Sequence, residues 1–328
     1  MSVDGCADSD YATLRPEDQI ELLREVAREG ARAFGLEPVA VELVLHGFNT
    51  TFRVVGADDV PVAVRVNTNS FSTPAHVVAH SAWMRDLARD TDLTLPVPLL
   101  TTDGRTLTEV DGRLVTAATW LEGPDVGECE PVHARALGRA MAVMHEHARG
   151  WSIPVGGALT AYDDPLLGDD DRLTAAYDGR REDQSVIEWA FVRCSTAMAE
   201  ATAAEPAIVV HGDLHGGNLK WNEGELAVFD FDDCGLAVRT FDLATSTFYL
   251  RKDSEEVEEA LRTGYSSVLD LPHLDAGSFE ALVASRQLLL ANDLLRTSNA
   301  ELQEMAEEYL DRTVTRLRRW QETGRFTL

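Results

Sequence analysis

Lysine is nearly absent from this 328-residue chain, which has only Lys220 and Lys252. Basic residues are scarce as a class, because 29 lysines and arginines stand against 56 aspartates and glutamates, for a formal net charge of −27. Nucleic acids and anionic membranes are bound through an excess of basic side chains, so the charge argues against both as partners. It also follows that no lysine is available anywhere before Lys220.

Cysteine and long apolar runs are scarce as well. The four cysteines, at positions 6, 129, 194 and 234, lie far apart and form no CxxC pair, so neither a disulfide framework nor a zinc site is indicated. No apolar run approaches the roughly 20 residues that a membrane helix requires, and the N-terminus shows no secretory leader. We therefore expect a soluble, cytoplasmic protein. Its length suits two lobes, because domains commonly have roughly 100–200 residues.

The first part of the chain has the pattern of an antiparallel sheet with two helices. Apolar residues at helical spacing predict the helices, and β-branched runs separated by turn sequences predict the strands. Thr73 and Pro74 suit the N-cap and first position of a helix that packs on the sheet. The predicted elements are a helix from Pro16 to near Gly35, an antiparallel meander of strands at 39–46, 51–56 and 60–67, a helix beginning at Pro74, and two strands within 102–123.

From Pro131 onward, long helical periodicity replaces the strand pattern. One segment, 208–233, interrupts it with two short predicted strands that flank polar loops. The predicted helices are 131–149, 186–203, 240–250, 254–270, 277–298 and 299–321.

The polar loops contain the residues with the clearest chemistry. The stretch HGDLHGGNL, residues 211–219, has Asp213 and Asn218 five residues apart, and Asp230 follows twelve residues later at the end of an apolar strand. Carboxylate and amide oxygens suit a hard cation such as Mg²⁺, and a further carboxylate is then free to orient a hydroxyl group. Phosphoryl transfer needs this division of roles.

HGDLHGGNL followed by FDFDD resembles the catalytic and metal-binding signatures of the aminoglycoside phosphotransferase and choline kinase superfamily, and within it the homoserine kinase type II-like group. The resemblance implies an α+β, bilobal, protein-kinase-like fold, with a nucleotide-binding lobe at 1–122 containing a five-stranded antiparallel sheet and a mainly helical lobe at 123–328. It implies ATP and Mg²⁺ as cofactors. The implied roles are Asp213 as catalytic base, His211 as the residue that braces the loop, Asn218 and Asp230 as Mg²⁺ ligands, Asp232 as an additional metal or water-shell ligand, and Asp242 as a structural anchor.

Two other histidine patterns are read as structural. A zinc site at His211, Asp213 and His215 has no spacing rule behind it, and His215 is interpreted as a loop-packing residue. HEH at 145–147 places its histidines two residues apart, whereas a metalloprotease helix needs them four apart on one face.

The first lobe departs from the kinase pattern at the position of one cation. In kinases of this fold the third strand has a lysine that contacts the phosphates and pairs with a glutamate of the following helix. Arg65 occupies the strand position here and His80 the helix position. Arginine is not interchangeable with lysine, so the nucleotide is held either differently or weakly. Further predicted nucleotide contacts are Gly47, Asn49 and Thr50 in a segment that otherwise reads as a plain hairpin turn, and Trp120 and Leu121 in the hinge between the lobes.

Acceptor residues are predicted by location only, between the metal loop and the C-terminal helices. Arg286, in an otherwise apolar helix, indicates either an acceptor carboxylate or pairing with a structural acid. Strong negative charge within the cleft would favour a cationic acceptor. The candidates are Asp233, Phe248, Tyr249, Arg286, Asn292 and Asp293.

Three functions stay open at this point. The intact Asp213, Asn218 and Asp230 favour a kinase that moves the γ-phosphate of ATP to a hydroxyl of an amino-alcohol, homoserine-like or aminoglycoside-like molecule. A protein Ser/Thr kinase of the stress-response type shares these motifs. A nucleotide-binding protein with weak or no catalysis would explain Arg65 and His80. The sequence leaves the oligomeric state and the choice between ATP and GTP undetermined.

Overall fold

The amphipathic N-terminal pattern forms helix α1, Pro16–Ala33, in a computed structural model that describes residues 11, 13–47, 49–68, 72–251, 255–297 and 299–328. Pro16 occupies the first turn, where a missing N–H costs no hydrogen bond. Leu23 and Val26 are buried on the face that contacts the sheet. Gly35, with φ of +78°, follows the helix end near the predicted position.

Five antiparallel strands form the first lobe, as predicted. They are β1 (Ala40–His46), β2 (Asn49–Val55), β3 (Pro61–Asn67), β4 (Thr108–Val110) and β5 (Arg113–Thr119), in the spatial order β1-β2-β3-β5-β4. In β3, Val62, Val64 and Val66 are buried in the core beneath α1. Because alternate residues of a strand face opposite sides, Arg65 points away from α1.

Helix α2, Pro74–Asp90, begins where predicted, and the Thr73 hydroxyl accepts a hydrogen bond from the His76 N–H at 3.1 Å. The expectation that α2 packs on the sheet is wrong. Its buried residues Trp83, Met84 and Leu87 join the core of the second lobe, where α3 residues such as Leu137 also pack. The apolar face of the sheet is covered by α1 instead.

The second lobe is mainly helical, as predicted. Its helices are α3 (Pro131–Ala148), α4 (Leu173–Ala176), α5 (Arg181–Ala204), α6 (Arg239–Leu250), α7 (Glu255–Ser266), α8 (Ala276–Leu294) and α9 (Ala300–Thr323). Helix α4, which is only one turn long, was not predicted, and α5 begins five residues before its predicted start. Across the described part of the chain, none of the helices combines the length and apolarity needed to cross a bilayer.

Four short strands, not the predicted two, lie between α5 and α6. They are β6 (Ile208–Val210), β7 (Leu219–Asn222), β8 (Glu225–Val228) and β9 (Gly235–Ala237). The antiparallel pair β6–β9 brings the start of the 211–218 loop beside the end of the 229–234 loop, and the hairpin β7–β8 joins the two loops at their other ends. The pairing therefore places the two polar loops side by side.

Candidate active site

Gly212, in the 211–218 loop, is required by close packing of the two polar loops. Gly212 has φ of +85°, and a Cβ at this residue would lie 2.0 Å from the carbonyl oxygen of Asp233. Any other residue would be strained in this conformation and would push the 229–234 loop away. The Gly212 contact therefore keeps Asp213 and the acidic loop together.

His211 and Asn218 hold Asp213 in place. The His211 ring accepts a hydrogen bond from the Asp213 N–H through Nδ1, at 3.3 Å, so Nε2 has the proton and donates to the Phe229 carbonyl at 3.1 Å. The Asn218 carboxamide donates both to the Asp213 carbonyl, at 2.8 Å, and to its carboxylate, at 3.1 Å. The fold thus brings together the predicted base, its brace and one predicted metal ligand.

Asp242 at the start of α6 anchors this loop from below. Its carboxylate accepts hydrogen bonds from the backbone N–H groups of His211 and Gly212, at 3.0 and 2.8 Å. The buried His145 contacts Asp242 through Nε2 at 3.1 Å and the Tyr265 hydroxyl through Nδ1 at 3.0 Å. Burial would raise the pKa of Asp242, but the hydrogen bond from His145 and the backbone donors keep it low. His145 is thus structural, as its spacing indicated.

The acidic loop begins in a backbone conformation that is unusual for a residue other than glycine. Asp230 is left-handed, with φ of 64° and ψ of 66°. Its carboxylate forms an ion pair with Arg65, with an oxygen 2.9 Å from the Arg65 Nη1. A carboxylate oxygen of Asp232 lies 2.9 Å from the Arg65 Nε. The Asn49 amide also donates to Asp232, at 2.6 Å. Arg65 and Asn49 of the first lobe therefore both contact the Asp232 carboxylate, and Arg65 also contacts the neighbouring Asp230.

The donor set at these loops suits Mg²⁺. The described residues contain no cluster of three or more histidine, cysteine, aspartate or glutamate side chains of the kind that holds a metal without help. Mg²⁺ is commonly bound by one or two protein oxygens and completes its shell with water and substrate phosphates. The amide oxygen of Asn218 and the carboxylate of Asp230 provide such a pair, on loops tied together by the Phe229 N–H donating to the Asn218 carbonyl at 3.0 Å.

A cleft of about 280 Å³ lies between the sheet and the β7–β8 hairpin, where the nucleotide was predicted. The predicted residues Arg65, Trp120 and Leu121 line it, together with His80. The predicted Gly47, Asn49 and Thr50 are not among its lining residues. Thr50 is buried, and its hydroxyl lies 2.8 Å from the His46 Nδ1. The Gly47 carbonyl accepts a hydrogen bond from the side-chain amide of Asn299, in the second lobe, at 3.0 Å.

Lys220 is a cleft residue that the sequence analysis did not single out. Its ammonium donates to the Gly123 carbonyl at 3.0 Å and to Asp125 at 2.8 Å. It also lies 5.8 Å from the centre of the Trp120 ring and 5.9 Å from that of Phe229. Its position two residues after Asn218, in a chain with two lysines, was the only sequence signal available.

Arg286 dominates the other side of Asp213, where the acceptor was predicted. This guanidinium is 5% exposed, donates to the Asp213 carboxylate, and donates to the Tyr249 hydroxyl at 3.0 Å. The Tyr249 ring stacks on the His215 ring with centres 4.1 Å apart. The His215 Nε2 lies 3.5 Å from a carboxylate oxygen of Asp213. His215 therefore lies beside Asp213 and also packs in its loop, as interpreted, because its Nδ1 accepts a hydrogen bond from the Gly217 N–H at 3.0 Å.

The pKa values of two aspartates near Arg286 are shifted in opposite directions. Burial would raise the pKa of Asp213, but the Arg286 guanidinium and the two nearby histidines outweigh it and hold that pKa far below its usual range. Surrounding protein and then the charge of Asp213 raise the pKa of Asp233, although its side chain is 48% exposed. Asp293 pairs with Arg296 at 3.4 Å, and burial raises its pKa as well. The residues around Asp213 thus combine both signs of charge.

Two of the residues expected in the acceptor pocket have structural roles instead. Phe248 is buried in the core, where its ring stacks on Phe326 with centres 5.6 Å apart. Asn292 is fully buried and holds a surface loop by accepting from the Arg172 N–H at 2.9 Å and donating to the Asp170 carbonyl at 3.1 Å. Their side chains point away from the pocket because one turn of α6 or α8 exposes only one face to it.

Comparison with known sequences places these loops in a family context. Residues 41–278 match the model of the phosphotransferase enzyme family. An uncharacterized protein from Deinococcus radiodurans is 27% identical over 283 residues, which cover 79% of this chain and 78% of that protein. A homoserine kinase from Sinorhizobium medicae is 28% identical over 186 residues, which cover 55% of this chain and 56% of the kinase. The chain thus spans about half the length of that homoserine kinase.

Solved structures share the fold. A microcompartment-associated aminopropanol kinase superposes with a TM-score of 0.73 at 21% identity, covering 92% of this chain and 98% of that one. An amicoumacin kinase in complex with AMP-PNP, Ca²⁺ and Ami gives a TM-score of 0.68 at 18% identity, with 92% and 94% coverage. These similarities confirm the predicted bilobal α+β architecture.

Proposed function

The chain belongs to the phosphotransferase enzyme family, and from this premise we propose that it is a kinase that transfers the γ-phosphate of Mg²⁺-bound ATP to a hydroxyl of a small amino-bearing molecule. The observation that carries the proposal is the contact between Asn218 and Asp213, at 2.8 and 3.1 Å, beside the loop of Asp230. One carboxylate lies next to an amide and a second carboxylate that suit a cation, as phosphoryl transfer requires.

In the proposed reaction, Asp213 accepts a hydrogen bond from the acceptor hydroxyl and orients its oxygen toward the phosphate. Because the pKa of Asp213 is low, it acts mainly by orientation, and a loose transition state needs little more from a base. Asn218 and Asp230 would hold Mg²⁺, whose charge offsets that of the phosphate oxygens. The Arg65 guanidinium at the inner end of the cleft donates to phosphate oxygens, and the nucleoside occupies the space beside Trp120 and Leu121.

The charge pattern of the pocket supports an acceptor with both an amine and a carboxylate. Arg286 is buried with its charge directed at Asp213 and Tyr249, so a carboxylate of the acceptor would find a preorganised partner. Asp233 and Asp293 offer acceptors for an ammonium group. A hydroxylated amino acid such as homoserine has these groups, and the similarity to homoserine kinases agrees with it. Amino alcohols that lack a carboxylate are the second class to test.

A specific observation favours a second candidate function, nucleotide binding with weak catalysis. Arginines hold both acids that the reaction needs, because Arg286 pairs with Asp213 and Arg65 pairs with Asp230. Turnover then depends on the acceptor and Mg²⁺ replacing these pairs.

The test measures ADP formation from Mg²⁺-ATP with homoserine, amino alcohols and aminoglycosides, for the wild type, Asp213→Asn and the surface control Asp178→Asn. We expect acceptor-dependent ADP formation that falls by at least about 100-fold in Asp213→Asn and is unchanged in Asp178→Asn. Failure of every acceptor to raise ADP formation above the acceptor-free rate, or full activity of Asp213→Asn, would contradict the proposal. Tight Mg²⁺-dependent ATP binding without turnover would support the second candidate.

Arg286→Gln tests the acceptor class. It is expected to raise the KM of a hydroxylated amino acid by about tenfold or more and that of the matching amino alcohol much less, because only the former has a carboxylate. Equal effects on both acceptors would exclude carboxylate recognition by Arg286.

A further inference from the structure

The strand cation of this kinase fold lacks its usual partner. The general arrangement pairs a lysine of the third strand with a glutamate of the following helix, so that the cation is held in position for the nucleotide phosphates. In this chain the strand cation is Arg65, and the helix position is occupied by His80. An unanchored buried guanidinium would be costly, so its partner must lie elsewhere.

His80 cannot replace the glutamate as a charged partner. The side chain is 6% exposed, and its Nδ1 has no hydrogen-bond partner among the described residues. Burial, with the neighbouring His76 and Arg65 charges, lowers its pKa to about 3, so the ring is neutral at neutral pH. His80 therefore fills space beside Arg65 without offering it a charge.

The acid lies on the 229–234 loop instead. Asp232 approaches the Arg65 Nε at 2.9 Å, and the same carboxylate oxygen accepts the Asn49 amide at 2.6 Å. Its side chain is 13% exposed, so water screens the pair little. One oxygen of the Asp232 carboxylate thus accepts a hydrogen bond from Asn49 and forms an ion pair with Arg65, although the Arg65 Nε lacks hydrogen-bond geometry.

The loop is also fastened to the helix that would normally provide the acid. The Phe231 ring packs edge-on against Trp83 of α2 with centres 5.9 Å apart. The His76 Nε2, one turn before His80, lies 2.8 Å from the Cys234 carbonyl. Asp232 therefore has a position as fixed relative to α2 as a residue of α2 itself.

We propose that Asp232 is a positioning residue that anchors Arg65 for the nucleotide phosphates, in place of the helix glutamate, and that it is not a metal ligand. This revises its expected role at the metal and rests on the proposed binding of nucleotide in the cleft. Arginine makes the arrangement workable, because its planar fork reaches Asp232 through Nε and Asp230 through Nη1 at once. If Asp230 held a cation, Nη1 would be free for a phosphate oxygen while Nε would stay beside Asp232.

The test moves the acid from the loop to the helix. Four proteins are compared: wild type, Asp232→Asn, the double variant His80→Glu/Asp232→Asn, and the matched control His80→Gln/Asp232→Asn, which differs from the double variant by one charge. The dissociation constant of AMP-PNP is measured by calorimetry at low and at high Mg²⁺ concentration. Thermal unfolding of the same proteins is recorded without nucleotide.

We expect Asp232→Asn to weaken nucleotide binding about tenfold at both Mg²⁺ concentrations, and His80→Glu to restore most of that loss while His80→Gln restores none. Unfolding midpoints should follow the same order. A loss that disappears at high Mg²⁺, or that His80→Glu does not repair in either measurement, would overturn the inference and return Asp232 to the metal. Wild type that binds no nucleotide would refute the proposed function, and the unfolding midpoints would still decide whether Asp232 anchors Arg65.

A second pair of variants tests the same inference if Asp232→Asn folds poorly. Arg65→Met and Arg65→Met/Asp232→Asn remove one or both partners, and loss of both members of a buried pair is tolerated better than loss of one. If Asp232 acts through Arg65, the second substitution leaves the nucleotide dissociation constant of Arg65→Met unchanged. A further loss of Mg²⁺-dependent affinity would contradict the inference.

Discussion

Two arginines, the partly buried Arg65 and the buried Arg286, control the charge of the site at the scale of single residues. Arg65 holds Asp230 and Asp232, and Arg286 holds Asp213. Burial would lower the pKa of each guanidinium, but the carboxylates raise it, so both stay charged. The Arg286 charge lowers the pKa of Asp213, and each arginine holds its acids in place until a ligand of the right charge competes for it.

The neutral state of His80 has a consequence for stability. Its pKa is about 3 in the folded protein and about 6.5 in the unfolded chain, so the unfolded chain binds one more proton between these values. The contribution of His80 to stability is therefore complete above about pH 6.5 and is lost as the pH falls toward 3. We expect the free energy of unfolding of the wild type to fall more steeply with decreasing pH than that of His80→Gln, by up to about 1.4 kcal/mol for each pH unit.

Denaturant titrations between about pH 7 and about pH 5 measure this difference. The exposed His273→Gln serves as control and should keep the wild-type slope. If the free energy of unfolding changes equally with pH in the wild type and in His80→Gln, His80 is charged in the folded protein.

At the scale of elements, the position of the 211–218 loop depends on how closely α3 and α7 approach. A Cβ on Gly138 would lie 2.0 Å from the Leu261 carbonyl, and one on Gly264 would lie 1.9 Å from the Arg135 carbonyl. The two helices thus touch backbone to backbone. This contact sets the distance between His145 on α3 and Tyr265 on α7, which together support Asp242.

Gly138→Ala should therefore destabilise the protein and disturb the site. Because the new methyl group meets backbone atoms, the helices must separate, with an expected cost of at least about 2 kcal/mol in the free energy of unfolding. Urea titration measures it. Gly150→Ala, where nothing lies within 4 Å of the added Cβ, is the matched control. An equal effect of both substitutions would contradict the close-packing argument.

The start of α9 links the two lobes through one side chain. The side-chain Oδ1 of Asn299 caps α9 by accepting from the Glu301 and Leu302 N–H groups at 3.0 and 3.1 Å. Its amide donates to the Gly47 carbonyl at 3.0 Å, in the segment predicted to cover the phosphates. One residue therefore caps a helix of the second lobe and holds a turn of the first.

Asn299→Asp separates these roles, because aspartate caps a helix as well as asparagine but has no N–H donor. We expect it to leave the unfolding midpoint nearly unchanged and to raise the KM for nucleotide about threefold to tenfold, the equivalent of one hydrogen bond. Asn299→Ala should add a loss of about 1 kcal/mol in stability. If both variants have the wild-type KM, the Gly47 contact plays no part in binding nucleotide.

At the scale of the whole molecule, the net charge of −27 surrounds a pocket of mixed sign. A negative field attracts a cationic acceptor and opposes an anionic one, and added salt screens both effects. We expect kcat/KM for an amino alcohol, which has a net positive charge, to fall several-fold as salt rises from low to physiological concentration. Steady-state kinetics with a hydroxy acid, which has a net negative charge, provide the control and should show the opposite trend. The same salt dependence for both would show that the field does not reach the pocket.

Local patterns predicted the elements that are long enough to show periodicity. The strands β1–β3 and the helices α3 and α6 begin and end within about two residues of their predicted bounds, because each displays several repeats of its pattern. β6 and β9 have three residues each, too few for a period, and their pairing depends on a contact between distant segments. The packing of α2 depended likewise on which lobe its apolar face met.

The sequence by itself determined the family, the two-lobed fold and the grouping of Asp213, Asn218 and Asp230, because these residues lie on two loops of one short segment whose order and spacing are local. Only the tertiary structure decided the partners of the arginines. Arg286 meets Asp213 from 73 residues away, and Arg65 meets Asp232 across the two lobes. Charge pairing acts through space, and no pattern along the chain records which distant carboxylate a folded guanidinium will reach.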